Sequence, residues 1–193
     1  MVTQLRAERT RALVIDETVR CILEEGFAAA SAKHITERAG VTWGVVQYHF
    51  GDRDGLLMAV VDKGLIELTD ALRELPAAAE NIRGRTEFIV NAAWDAFSSP
   101  TSMAALEILI ATRAMRDTGA TAHLATLGTT MAQLGKHIGE GLHARHAAAI
   151  GNLIWATLRG LVVATLVVPE PVDTRRERRA LVDMITRYVD SVD

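Results

Sequence analysis

"VTWGVVQYHF", residues 41–50, sets two aromatic residues beside a glycine and a glutamine within one short helical run. On a helical wheel Val46 and Phe50 stand at i, i+4 on one side, placed to pack on Ile35 and Ala39 of the preceding segment. Trp43 with Gln47, and Gly44 with Tyr48, repeat that spacing on another side, so the four unusual residues share a face that is not the core face. Glycine disfavours a helix interior by about 1 kcal/mol relative to alanine. Close approach of another backbone gives Gly44 a reason to be there. A DNA major groove fits such a face: glutamine pairs with adenine, aromatic edges meet thymine methyls and hydroxyls reach phosphates. The competing reading is that Trp43 and Tyr48 pack on a neighbouring helix and Gly44 is incidental.

Working outward, Ser31 is a natural N-cap for a short helix through Ala39, and Gly40 ends it. Thr42 then caps the helix of the opening stretch, which completes the outline of a helix-turn-helix. A first helix is predicted from Thr10 to Glu25 with Gly26 as its stop, and Asp52 opens a long helix stopped by Pro76. Further helices are expected at about 80–98, 101–116, 120–141, 144–167 and 174–191. The class is therefore all-α, about nine helices. Residues 1–53 form a three-helix DNA-binding head, and residues 54–193 a larger domain for effector binding and dimerisation. No repeat or low-complexity linker separates them, and the boundary falls near the start of the helix after Asp52.

Whole-chain properties narrow the function. At 49% hydrophobic and 23% charged, the 193 residues describe an ordinary globular protein. The net charge of −3 means that any nucleic-acid contact must come from a local patch. Within residues 1–53, seven Lys/Arg face seven Asp/Glu, so placement rather than sum matters: Arg6, Arg9 and Arg11 form an N-terminal arm, with Lys33 and Arg53 nearer the reading helix. Cys21 is the single cysteine, which excludes an internal disulfide and a Cys-rich zinc site. The start "MVTQLRAERTRAL" has no apolar stretch of signal-peptide type, and a cytoplasmic protein is expected. Residues 147–168 are long enough to span a membrane, but Arg159 near the middle costs roughly 2.5–3.5 kcal/mol on insertion scales, so a buried helix is expected and no membrane partner.

The segment "SAKHITERAGVTWGVVQYHFGDRDGLL" resembles the DNA-binding domain of the tetracycline-repressor (TetR) family. The likeness rests on Ser31, Ile35, Ala39 and Gly40, Val41 and Thr42, Gly44, His49 and Phe50, Arg53, Leu56 and Leu57, with "EEGF" at 24–27. It covers about residues 10–60; beyond them only the helical layout and "WATLRGL" near 155–161 look similar. The resemblance implies a ligand-responsive transcriptional regulator, most simply a repressor released from a near-palindromic double-stranded operator by a small molecule. It places DNA contacts at Lys33, Thr42, Trp43, Gly44, Val45, Gln47, Tyr48, His49 and Arg53. One departure stands out. The family usually has tyrosine two residues before the histidine, where this chain has Gln47, with the tyrosine displaced to Tyr48; Arg53 replaces the commoner lysine.

The same resemblance implies a homodimer joined through the last two helices, and the helix at 144–167 is apolar nearly all round, more than a half-exposed monomer helix needs. Leu153, Ile154, Leu161, Val162, Leu181 and Ile185 are the interface candidates. Effectors of the resembling proteins bind among the middle helices. Here Trp94, Phe97, Met103, Leu106, Ile110, Met115, Leu127, Met131 and Trp155 are the apolar candidates, with Glu107, Arg113, His123 and Asn152 as polar ones; each apolar residue also suits plain core. His143 and His146, at i, i+3, lack a nearby cysteine or carboxylate, so no metal or other cofactor is expected. No nucleophile with its base, paired acids or phosphate-binding glycine loop points to an enzyme. The alternative to a regulator is a helical ligand-binding module without specific DNA binding.

Overall fold

The structure, a computed structural model, describes residues 2–73, 81–114, 125, 128–130, 132–136, 138–139, 142, 147–168 and 170–192. Among them the chain forms helices α1 (Val2–Glu25), α2 (Ala32–Ala39), α3 (Trp43–Phe50), α4 (Arg53–Arg73), α5 (Ile82–Phe97), α6 (Pro100–Ala111), α7 (Ala147–Val167) and α8 (Arg175–Val192), with a 3-10 turn at Phe27–Ala29. Residues 128–130, 132–136 and 138–139 are helical too, and no described residue is in a strand. The all-helical class is as the sequence predicts. Pro76, Met115, His123, Leu127, Met131, His137, His143 and His146 lie outside the described residues.

The boundaries follow local chemistry. The Ser31 hydroxyl accepts from the His34 amide at 3.2 Å, and Gly40, at φ 63°, takes the left-handed conformation that ends α2. The Asp52 carboxylate accepts from the Gly55 amide at 2.8 Å, and the Asn81 side chain accepts from Gly84 at 2.8 Å, capping α4 and α5. Pro100 opens α6 at a position where a missing amide hydrogen does no harm. One boundary differs from expectation: α1 begins at Val2, so Arg6, Arg9 and Arg11 are helical residues and not a loose arm. Thr10, the expected start, sits mid-helix with its hydroxyl bonded back to the Arg6 carbonyl at 3.0 Å.

The chain divides into two compact units, Met1–Ile66 with Pro100–Met115, and Glu67–Ser99 with Arg116–Asp193; α4 runs from one into the other. In the first, α1 packs on α2, the 3-10 turn and α6 around wholly or nearly buried Val14, Ile15, Ile22, Ile35, Val46, Leu56 and Ile108. Gly64 lets α4 approach α6: a methyl group there would stand 3.0 Å from the Ala105 methyl. In the second, α5 packs on α7 and α8 around Ile89, Val90, Ala93, Ile154, Leu158, Val162 and Leu181. Phe97 and Trp155 meet edge to face there, centroids 4.3 Å apart, a pairing worth roughly 0.5–1.5 kcal/mol beyond burial. Gly135, Gly139 and Gly151 let α7 cross the helical residues before it, since a methyl at Gly139 or Gly151 would collide with the carbonyl of Ala147 or Gly135.

Candidate nucleic-acid interface

The turn between α2 and α3 is held by backbone bonds from Gly40 to Glu37 and from Val41 to Thr36 (3.1 Å). Thr42 occupies the N-cap position of α3 in extended conformation, but its side chain makes no cap bond and stays exposed. Val46 turns fully inward. Outward stand Trp43, Gly44, Gln47 and Tyr48, all exposed, Tyr48 at 81%. The predicted sorting of the two faces is therefore present. Val45 and His49 flank it half-buried, with the His49 ring edge-on to Tyr48 at 5.0 Å.

Gly44 is informative because nothing among the described residues requires it. A methyl group at its Cα would meet only the Thr42 hydroxyl, at 3.9 Å. The helix carries the weakness of a glycine with no internal close approach to offset it.

The charges around this face divide into free and committed ones. Lys33 is open, its side chain 86% exposed and its Nζ 3.8 Å from Glu37, a pair that water screens strongly. Arg6 and Arg9 are exposed on α1. Arg53 is half-buried: its Nε donates to the Ala30 carbonyl at 2.7 Å and its guanidinium lies 5.1 Å from the Phe27 ring centroid. It clamps the 3-10 turn to the start of α4. Arg11 similarly lies over Phe50, at 5.2 Å.

Two hubs escaped the sequence reading. Arg38 joins α2 to α1 through Glu24 at 2.7 Å, Glu25 and Glu17. The hydrogen bond from His34, then Arg38, holds the Glu25 carboxyl below its ordinary range. Glu107, expected among effector contacts, accepts the Phe27 amide hydrogen at 2.7 Å and so ties α6 to the turn after α1. Neither pairing has a local signal, with 80 residues separating Phe27 from Glu107.

The remaining pocket candidates are spread over both units. Met103, Leu106, Ile110 and Arg113 lie on or just after α6 in the first, with Ile110 and Arg113 exposed. Phe97 and Trp155 are buried against each other in the second, where Trp94 lies under the Arg178 guanidinium at 4.9 Å. The Asn152 side chain packs beside Gly135. Of the interface candidates, Leu153 is 50% exposed and Leu161 half-buried. Ile154, Val162 and Leu181 are buried within the chain. Ile185, though buried, lines an apolar groove of about 270 Å³ with Ala149, Ile150, Leu153, Met184 and Tyr188.

Residues 14–60 match the family model described as bacterial regulatory proteins, tetR family. A regulator named HTH-type transcriptional regulator BetI, from Burkholderia thailandensis, is 37% identical over 89 residues, 46% of each chain. The match thus spans about half the length of such relatives. Among solved structures, the TetR family transcriptional regulator PfmR from Thermus thermophilus superposes with a TM-score of 0.68 at 16% identity, over 90% of this chain and 97% of that one. The multidrug binding protein EbrR, complexed with imidazole, does so with a TM-score of 0.60 at 20% identity, over 94% of this chain and 90% of its own. At such identities the likeness is one of fold.

Proposed function

We propose that this chain, whose residues 14–60 match the family model of bacterial regulatory proteins, tetR family, is a regulator of that kind, that α3 reads an operator in the DNA major groove and that a small molecule releases it. The family is one of regulators and not of catalysts. The observation that carries the reading is the outward face of α3, where exposed Trp43, Gln47 and Tyr48 surround a glycine with open space above it. Gln47 and Trp43 read base edges; Lys33 and the free Thr42 hydroxyl at the helix N-terminus hold phosphates.

The protein acts as a homodimer. Leu153, Met184 and Tyr188 leave an apolar groove open along α7 and α8, and a second copy of that groove is its natural cover. The α7 helix is also long and apolar enough to cross a membrane, but Arg159 is exposed at its middle, which suits a protein interface in water better than lipid. Two reading helices then stand roughly 34–36 Å apart on a near-palindromic site. The effector is a small molecule, as the likeness to the multidrug binding protein EbrR, complexed with imidazole, encourages. It favours the non-binding conformation by about 1–3 kcal/mol, and α4, which belongs to both units, carries the change. A protein that works on chromosomal DNA acts in the cytoplasm.

The test is binding of the purified protein to DNA upstream of its own gene, with unrelated duplex as competitor, over a range of salt. The expected result is specific binding about 10³-fold or more above the unrelated duplex, with a logarithmic salt slope near −0.9 per phosphate neutralised. Equal affinity for both duplexes at every salt concentration would favour a helical module without operator recognition.

A further inference from the structure

Cys21 and Glu25 lie four residues apart on α1, and His34 on the first turn of α2 faces them. One thiol sulfur, one carboxylate oxygen and one imidazole nitrogen all lie within 4.8 Å of one another, with His34 Nε2 and Glu25 Oε2 at 2.8 Å. We propose that these three residues form a binding site for a borderline divalent ion of the Zn²⁺ class, clipping α1 to α2 in the head.

The donor set selects the ion. Thiolate with imidazole and one carboxylate suits Zn²⁺ and its spectroscopic substitute Co²⁺, and disfavours Mg²⁺ and Ca²⁺, which take oxygen ligands. Three protein ligands leave the fourth tetrahedral position to water. Access is asymmetric: the Cys21 side chain is fully buried, whereas Glu25 and His34 are about a third exposed. The ion therefore enters from the Glu25–His34 side, replacing their hydrogen bond by two coordinate bonds. The thiol proton leaves to solvent as the thiolate binds. Around the three ligands Glu17 and Glu24 balance Arg20 and Arg38, so the charge that meets the cation comes from the Glu25 carboxylate and the Cys21 thiolate themselves. His34 is held in place from its backbone by the Ser31 cap, so ordering the site asks little of the chain. The spacing across two helices, 13 residues from Cys21 to His34, hides the site from a search for short metal motifs.

The chain's single cysteine makes the test specific, because any thiolate-to-cobalt charge-transfer band must come from Cys21. Titration of the full-length protein with Co²⁺ is expected to give that band at about one equivalent, with Zn²⁺ displacing it. Cys21→Ala should abolish the band. His34→Gln and Glu25→Gln, both at the surface, should each weaken Co²⁺ about tenfold or more while circular dichroism shows an intact fold. Because His34→Gln leaves the Arg38 pairs with Glu17, Glu24 and Glu25 in place, it decides the matter even if Cys21→Ala folds poorly. Absence of the band at one equivalent, or unchanged affinity in both surface variants, overturns the site.

Discussion

Leu153→Arg and Met184→Arg are each expected to turn a dimer into monomers and to lower operator affinity by roughly 10²–10⁴-fold, the advantage that joining two half-site contacts confers. Both side chains are largely exposed on the protomer, at 50% and 64%, so an arginine there leaves the protomer core intact. In the proposed dimer the same arginine would sit in the apolar groove lined by Ile150, Ile185 and Tyr188. An unpaired charge buried in such a place is destabilising by about 3–5 kcal/mol. Sedimentation at micromolar concentration should give a wild-type dimer and variant monomers with unchanged helical content. A wild-type monomer, or variants that dimerise normally, removes the apolar groove from the account.

Gly44→Ala should have two effects of opposite sign. With nothing but the Thr42 hydroxyl near the added methyl, the helix gains the ordinary advantage of alanine, about 1 kcal/mol, and the protein melts higher. Against DNA, the same methyl enters the space that the groove wall needs, and affinity should fall by about 1–3 kcal/mol, the usual penalty of overpacking. Thermal melting and operator binding measured on one preparation separate the two. A variant that is more stable and binds as tightly as wild type would show that no partner approaches Gly44.

The parts of the fold visible in the sequence are those fixed by local chemistry. Ser31, Gly40 and Asp52 mark helix ends with side chains and dihedrals that act within four residues, and the structure uses each as read. The start of α1 was less visible because helix propagation through "VTQLRAERT" needs no cap and no apolar stripe, only residues that do not break it. Helix rotation was legible on α3, where polar and apolar residues alternate by face, and illegible on α7, where nearly every residue is apolar. There the sequence cannot tell Leu153 from Ile154, although one is half exposed and the other buried.

The candidate site divides in the same way. The exposed face of α3 follows from four residues and their spacing. The inward commitment of Arg53 does not, because its partner is a backbone carbonyl 23 residues away. A hydrogen bond from a charged donor, worth about 1.5–3 kcal/mol, anchors its Nε there. Glu107 on α6 has a partner of the same kind: its carboxylate accepts a backbone amide hydrogen from Phe27, 80 residues away.

The central claim is that Gln47 and Trp43 read bases. It is tested most directly by measuring the affinities of wild type, Gln47→Ala and Trp43→Ala for the operator and for its single-base-pair variants at several salt concentrations. Gln47→Ala is expected to keep the salt slope and lose about 1–3 kcal/mol of preference at one base pair in each half-site. Trp43→Ala should relax preference at a neighbouring position. If both variants discriminate among the duplexes as wild type does, the outward face of α3 does not read sequence.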